Sequence, residues 1–249
     1  MFVCRAGVER LGEPIAALPG GTVTTIGVYD GVHLGHRAVL NRVRALAGEI
    51  GAASAVVTFD PHPAAIVRPQ SAPRYITDLE QRLALIEEAG IEYAYVVLFD
   101  AAASVETAAD FVRRVLVQSM RARSVVVGDD FHFGHNRGGN VRLLNELGPV
   151  EGFSVHPVSL IGDVLGPVYS STEIRRALTD GRVADAGRML GRPFEVEPGE
   201  FSVERESTAA LRAVVSLHEL PGRVAVAPGL YEAEIDPISG AARLIERAR

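Results

Sequence analysis

The chain has 249 residues, is 47% hydrophobic and carries a formal net charge of -6. That is enough apolar material for one large domain plus an appendage, or for one α/β domain with insertions, and the acidic balance argues against a nucleic-acid surface. All 25 basic residues are arginine, so a phosphate-loop lysine, a Schiff base and an adenylyl-lysine intermediate are excluded, and any phosphate clamp must use arginine, histidine or backbone. The single cysteine, Cys4, excludes an internal disulfide and any multi-cysteine cluster. No apolar run is long enough to span a bilayer, and Met1 to Gly12 lacks the layout of a signal peptide, so a cytoplasmic location is expected.

In chain order, apolar β-branched runs alternate with helical patterns. Strands are predicted over Val23–Val28, Ala53–Phe59, Tyr93–Phe99, Ser124–Val127 and Phe153–Val158. Helices are predicted over Arg37–Glu49, Asp78–Ala89, Val105–Met120 and Val141–Leu147. Such alternation indicates a doubly wound parallel sheet whose ligand lies beyond the carboxyl ends of its strands. Two short helices follow, Ser170–Thr179 with a hydroxyl cap and Val183–Leu190. Past Pro193 the texture changes to short strands between Pro/Gly turns: Glu195–Glu204, Leu211–Leu217, Val224–Val226, Leu230–Ile235 and Ala242–Ile245. The division expected is a domain over 1–194 and a small β-rich segment over 195–249.

The strand-to-helix passage Thr24 to His36 contains Gly27-Val28-Tyr29-Asp30-Gly31-Val32-His33-Leu34-Gly35-His36. Gly31 and Gly35 let the backbone approach an anion, the opening helix offers unpaired N–H groups, and His33 and His36 add donors three residues apart. Fixed donors of this kind stabilise charge on a phosphorus centre under in-line attack. A second His-x-Gly-His, His132 to His135, opens a further glycine loop rather than a helix and reads as polar loop residues. Beside it, Asp130 could accept from a ribityl or ribose hydroxyl, while Phe131 and Phe133 could either wall a planar ring or pack in the core. Asp60-Pro61-His62-Pro63 is a proline-fixed turn that could hold His62 toward the same cleft. Ser171 and Thr172 at a helix start, with Arg175 one turn in, make a second phosphate clamp. No metal-ligating residue is assigned, because the helical His-x-x-x-His and carboxylate spacings of metal sites are missing.

Taken in order, the Gly27–His36 turn, Thr58-Phe59-Asp60-Pro61-His62-Pro63, Val127–Gly134, Ser170–Arg175 and Met189-Leu190-Gly191-Arg192-Pro193-Phe194 resemble the adenylyltransferase module of prokaryotic bifunctional riboflavin kinase/FAD synthetase. The resemblance implies a Rossmann-like nucleotidylyltransferase that moves AMP from ATP to FMN, giving FAD and pyrophosphate, with Mg2+ carried mainly by the phosphates. It implies that His33, His36 and Arg175 act on the reacting phosphate. Gly27, Tyr29, Asp30, Gly35, Ser171, Thr172 and Arg175 would bind ATP, and His62, Pro63, Asp130, Phe131 and Phe133 would bind FMN. Tyr29 stands where this family usually has phenylalanine, and Tyr169 replaces an aliphatic residue. The glycine-rich strand and the Gly-x-Pro-Thr-Ala-Asn segment of the family's kinase barrel do not occur after Phe194, so kinase activity is not expected. Two other readings stay open: a nucleotidylyltransferase with another acceptor or nucleotide, and an inactive flavin-nucleotide binder whose C-terminal segment serves a protein partner.

Overall fold

The structure is a computed structural model that describes residues 1–6, 20–159, 169–206, 212–218, 223, 224 and 226–248. Leu211 and Ala225, which fall within expected strands, and residues 7–12 of the opening segment lie outside them. The chain divides into two compact units, one formed by residues 1–29, 36–73 and 79–160, the other by residues 30–35, 74–78 and 161–249.

The first unit is built on a six-stranded sheet. These strands are β1 (Phe2–Ala6), β2 (Thr22–Ile26), β3 (Ala53–Asp60), β4 (Tyr93–Leu98), β5 (Ala122–Gly128) and β8 (Ser154–Val158). Every pairing in it is parallel. In the order β1-β4-β3-β2-β5-β8, β3 and β4 lead outward from β2 on one side and β5 and β8 on the other, with β1 added outside β4, so the order reverses at β2 and β5, the crevice where open α/β sheets bind ligands. The strands are covered on both faces: Val56 and Val57, adjacent on β3 and pointing oppositely, are both fully buried. The β2 run Thr-Val-Thr-Thr-Ile is buried throughout despite three hydroxyls. Each finds a partner: Thr24 Oγ1 lies 2.6 Å from Thr22 Oγ1, which bonds the Met120 carbonyl at 2.8 Å, and Thr25 meets the Tyr29 hydroxyl at 2.7 Å.

Helix α1 (Leu34–Ile50) turns Leu40, Val43, Leu46 and Ala47 inward, and α3 (Leu79–Glu88) turns Arg82, Leu83 and Ile86 inward. Between them lie α2 (Pro63–Val67) and a 3-10 turn over Pro69–Ser71. The helix predicted over 105–120 is more broken than expected. Short helices α4 (Ala101–Ser104) and α5 (Ala108–Phe111) precede a π-helical stretch over Val112–Ser119. There Met120 N–H reaches the Val115 carbonyl and the Ser119 hydroxyl reaches Arg114, each five residues back. The wider turn still buries Val112, Val115 and Leu116 in one core with Phe59, Phe111, Phe133 and Leu144. A two-stranded ribbon, β6 (His132–Phe133) and β7 (Gly139–Asn140), leads into α6 (Val141–Glu151), which Asn140 caps through its side chain.

In the second unit, α7 (Ser171–Thr179) and α8 (Val183–Leu190) share a core with a five-stranded antiparallel sheet. Its strands are β9 (Phe194–Val196), β10 (Phe201–Glu206), β11 (Arg212–Leu217), β12 (Leu230–Ile235) and β13 (Ala242–Arg247), ordered β10-β11-β12-β13-β9. Alternation is clean: Ala213, Val215, Tyr231, Ala233, Ala242 and Leu244 are buried while Glu232, Glu234 and Arg243 are exposed. The texture change at Pro193 marks where strands replace helices, whereas the packing division falls at residue 160. The strand expected over Glu195–Glu204 is two strands interrupted by a turn around Gly199, whose φ is +91°. Val224–Val226 forms no strand among its described residues, and the ladder there is one bridge between Tyr75 and Arg223.

Leu116 is fully buried where the π-helical turn meets the first unit's core. Leu116→Ala is expected to destabilise the protein by about 2–5 kcal/mol in a denaturant titration, and a loss under about 1 kcal/mol would show that this stretch does not carry core packing.

Candidate functional site

In the second unit the turn over residues 30–35 is organised around one buried carboxylate. Asp30 is 2% exposed. Its oxygens accept the Ile76 N–H and the Thr77 N–H at 3.0 Å, the Thr77 hydroxyl at 3.2 Å, and an Arg175 guanidinium N–H at 2.5 Å. The Thr77 hydroxyl oxygen in turn accepts the Gly31 N–H at 3.0 Å. Ser171 donates its hydroxyl to the Asp30 carbonyl at 2.9 Å, and Arg192 donates to the Gly31 carbonyl at 2.9 Å. Arg175 is held from a second side, its Nε–H reaching the Arg74 carbonyl at 2.8 Å. A buried carboxylate is tolerable only when paired and fully bonded, and this one is both.

His33 sits in the same turn, 6% exposed. Burial pushes its imidazole down to about 4, assisted by the Arg175 and Arg192 cations and opposed by Asp30. The ring is therefore neutral at physiological pH, with one nitrogen a donor. A Cβ at Gly35 would lie 3.1 Å from the His33 ring and 3.3 Å from the Tyr169 carbonyl, which is why a residue without a side chain follows Leu34. Ser170 caps α7 by accepting the Glu173 N–H at 3.2 Å, and Thr172, in the first turn of that helix, is exposed.

In the first unit Tyr29 and His36 meet ring to ring, centroids 4.9 Å apart and inclined by 54°. Tyr29 is 3% exposed at φ +56°, an unusual conformation for a bulky residue. Burial raises its hydroxyl above the usual tyrosine range, so it stays protonated, and its partner is Thr25. Here the departure from phenylalanine has a structural use: the extra oxygen ties the turn back to β2. Gly27 must lack a side chain because a Cβ would stand 2.9 Å from the Tyr29 ring.

A cavity of about 740 Å³ opens in the first unit, within the range of small-molecule sites. Gly27, Phe59, Phe99, Phe111, Phe131 and Phe133 give it aromatic and backbone walls; His62, Pro63, Arg68, Glu106, Asn136 and Arg137 are among its remaining lining residues. Phe131 and Phe133 stack at 5.3 Å and 13°. Phe133 is the buried member, against Phe111 at 5.8 Å, while Phe131 is half-buried. His62 caps α2, its Nδ1 accepting the Ala64 N–H at 3.0 Å, so the neutral ring carries its proton on Nε2. His132 and His135 are exposed, and each donates from Nδ1 to a backbone carbonyl, of Asp130 and Ser104 respectively. Asp130 is exposed and is not among the residues lining the cavity.

The structure thus groups Asp30, His33, Gly35, Ser171 and Arg175 in one unit, and Gly27, Tyr29 and His36, together with His62, Pro63, Phe131 and Phe133, in the other. Sequence reasoning missed Ile76 and Thr77, whose contribution is mostly backbone. It also missed Arg82, fully buried and donating to the Val28 carbonyl at 2.9 Å and the Phe59 carbonyl at 3.2 Å. A signal existed for Arg82, since it occupies the apolar stripe of α3 beside Leu83 and Ile86.

The His33 shift has a sign that can be tested. The unfolded chain takes up a proton near pH 6.5 that the folded chain refuses until about pH 4, so stability falls as pH drops from 6.5 toward 4 and levels below. In nitrogen-detected NMR the His33 ring is expected to stay neutral at pH 5.5, and His33→Gln is expected to flatten the acid limb of the stability profile. Titration of His33 near 6.5 would contradict its burial.

A family model for FAD synthetase matches residues 16–173. The chain is similar to the bifunctional riboflavin kinase/FMN adenylyltransferase of Pseudomonas fluorescens, 38% identical over 176 residues, covering 71% of this chain and 56% of that protein. The protein of the same description from Escherichia coli (strain K12) is 35% identical over 190 residues, covering 76% and 59%. The chain therefore spans a little over half the length of these relatives. Among solved structures, a macrolide-efflux protein from Streptococcus pneumoniae aligns with TM-score 0.74 over 100% of this chain and 91% of its own, at 21% identity, a likeness of fold. With the glycine turn, its two histidines and the capped Ser-Ser-Thr helix in the positions described, the chain belongs to the FAD synthetase family.

Proposed function

We propose that this chain transfers AMP from ATP to FMN, releasing pyrophosphate and forming FAD. The observation that carries the reading is the Asp30-clasped turn holding a buried His33, with Arg175 and Arg192 bonded to that turn, in a family whose relatives are described as bifunctional riboflavin kinase/FMN adenylyltransferases. The FMN phosphate is largely dianionic at neutral pH, its second ionisation lying near 6, so the nucleophile needs no general base. One FMN phosphate oxygen attacks the α-phosphorus of ATP as the bond to the β-phosphate oxygen breaks. His33 and His36 donate N–H groups to the charge gathering on the α-phosphate oxygens. Arg175, the Thr172 hydroxyl and the α7 N-terminus hold the departing pyrophosphate. Ser171 and Asp30 keep the turn in shape, and Gly27, Tyr29 and Gly35 give the nucleotide close access to backbone. The flavin ring occupies the aromatic cavity between Phe131, Phe133 and the His62-Pro63 turn, with Asp130 at its approach.

Among the described residues no group of three or more His, Cys, Asp or Glu could hold a metal, and the Asp30 carboxylate is fully engaged. In this reading magnesium enters as the companion of the triphosphate. No helix among the described residues is long and apolar enough to cross a membrane.

Mass detection of products from FMN, ATP and magnesium is expected to show FAD and pyrophosphate. Release of pyrophosphate only with another phosphorylated acceptor, or only with another nucleotide, would reassign the substrate. Flavin binding without any turnover would reject the enzyme reading. His36→Ala is expected to lose about 10²-fold or more in kcat, with flavin binding kept, and full FAD formation by this variant would remove His36 from the mechanism.

A further inference from the structure

The segment over residues 74–77 has two bonded sides within the second unit. One side holds the turn and Arg175: Ile76 and Thr77 donate to the Asp30 carboxylate, and the Arg74 carbonyl receives Arg175 Nε–H. The other side is held by the C-terminal part of the chain. Tyr75 and Arg223 form a parallel bridge, and the Val224 N–H reaches the Tyr75 carbonyl at 2.7 Å. The Arg223 side chain, 7% exposed, donates to the Ile76 carbonyl at 3.2 Å. It also donates to the Glu195 carbonyl at 2.9 Å and the Glu200 carboxylate at 2.9 Å, and it lies over the Phe194 ring at 5.3 Å. Only the Ile76 α-carbon separates the Asp30 bond from the Arg223 bond, since Ile76 makes the first through its N–H and the second through its carbonyl. A guanidinium suits this place because its planar fork satisfies several fixed acceptors at once, which an ammonium cannot.

We infer that Arg223 is a positioning residue for adenylyl transfer: it fixes the 74–77 segment, which in turn fixes Asp30, Arg175 and the turn that receives the triphosphate. The C-terminal β sheet is then a working part of the nucleotide site. The inference rests on the proposed function and adds to it that residues beyond Phe194 set the nucleotide parameters of the reaction while leaving the flavin parameters alone. The flavin cavity is lined wholly by residues of the first unit, so the two sets of parameters can be separated.

The test is full-length Arg223→Ala with steady-state kinetics against MgATP and FMN separately. The expected result is a rise of about tenfold in KM for MgATP and a fall of about tenfold in kcat, the scale on which small misplacements of a site act. The FMN KM and flavin fluorescence quenching are expected to stay within about twofold of wild type, with Arg223→Lys intermediate. Unchanged MgATP parameters in a folded variant, or equal losses toward MgATP and FMN, would overturn the inference. Should Arg223→Ala fail to fold, Glu200→Gln removes the charge that pairs Arg223 and is expected to raise the MgATP KM by about two- to threefold; no change there overturns it equally. Wild-type protein that makes no FAD would reject the proposed function instead. Arg223 is then judged by calorimetric affinity for a non-hydrolysable ATP analogue, weaker binding by Arg223→Ala supporting its role and equal binding refuting it.

Discussion

A carboxylate taken almost wholly out of water is the constraint on which the turn over residues 30–35 and the elements bonded to it depend. Asp30 follows Tyr29 in the chain and opens the turn over residues 30–35. With 2% exposure, it can persist as an anion only if its oxygens are bonded and its charge is matched. Two backbone N–H groups, a hydroxyl and Arg175 meet that demand. Removing one partner from such an arrangement typically costs about 3–5 kcal/mol, so the pieces from residues 74–77 and from α7 are held to the turn by the same charge. In the same turn Val32 takes a positive φ and Gly35 lies close to the His33 ring.

The electrostatics favour donors over bases. Burial keeps His33 neutral, and Arg175 and Arg192 hold its pKa down further, so it offers an N–H without adding a permanent charge to an already cationic corner. Arg175 is oriented by two fixed acceptors before any ligand arrives, which reduces the reorganisation that charge development would otherwise require. The chain lacks lysine, and the site is built from groups that do not need it.

Much of this was legible in the residues because it is local. The turn from Gly27 to His36 declares itself through glycine and histidine spacing between a β-branched run and an amphipathic helix, and the central strands show as continuous apolar runs. The strut over residues 74–77 was not legible, because its contribution is mostly backbone N–H and C=O, which nearly any sequence supplies. Arg223 was hidden for a related reason, since its partners are two carbonyls and a carboxylate distant in the chain. Phe131 and Phe133 could not be apportioned without tertiary structure: their alternation on a two-residue strand decides that Phe133 enters the core and Phe131 remains half-exposed. β1 escaped notice because a five-residue edge strand reading Phe-Val-Cys-Arg-Ala has no clear period. The helix near residue 112 broke its pattern because a π-helical turn shifts the hydrogen-bond register by one residue.

The most direct measurement is a crystal structure of the full chain with a non-hydrolysable ATP analogue, magnesium and FMN. The α-phosphate is expected within hydrogen-bond distance of the His33 and His36 rings, with the Asp30–Arg175 pair intact and the isoalloxazine between Phe131, Phe133 and the His62-Pro63 turn. A nucleotide bound away from the Gly27–His36 turn, or one that enters only after displacing Arg175 from Asp30, would contradict this arrangement.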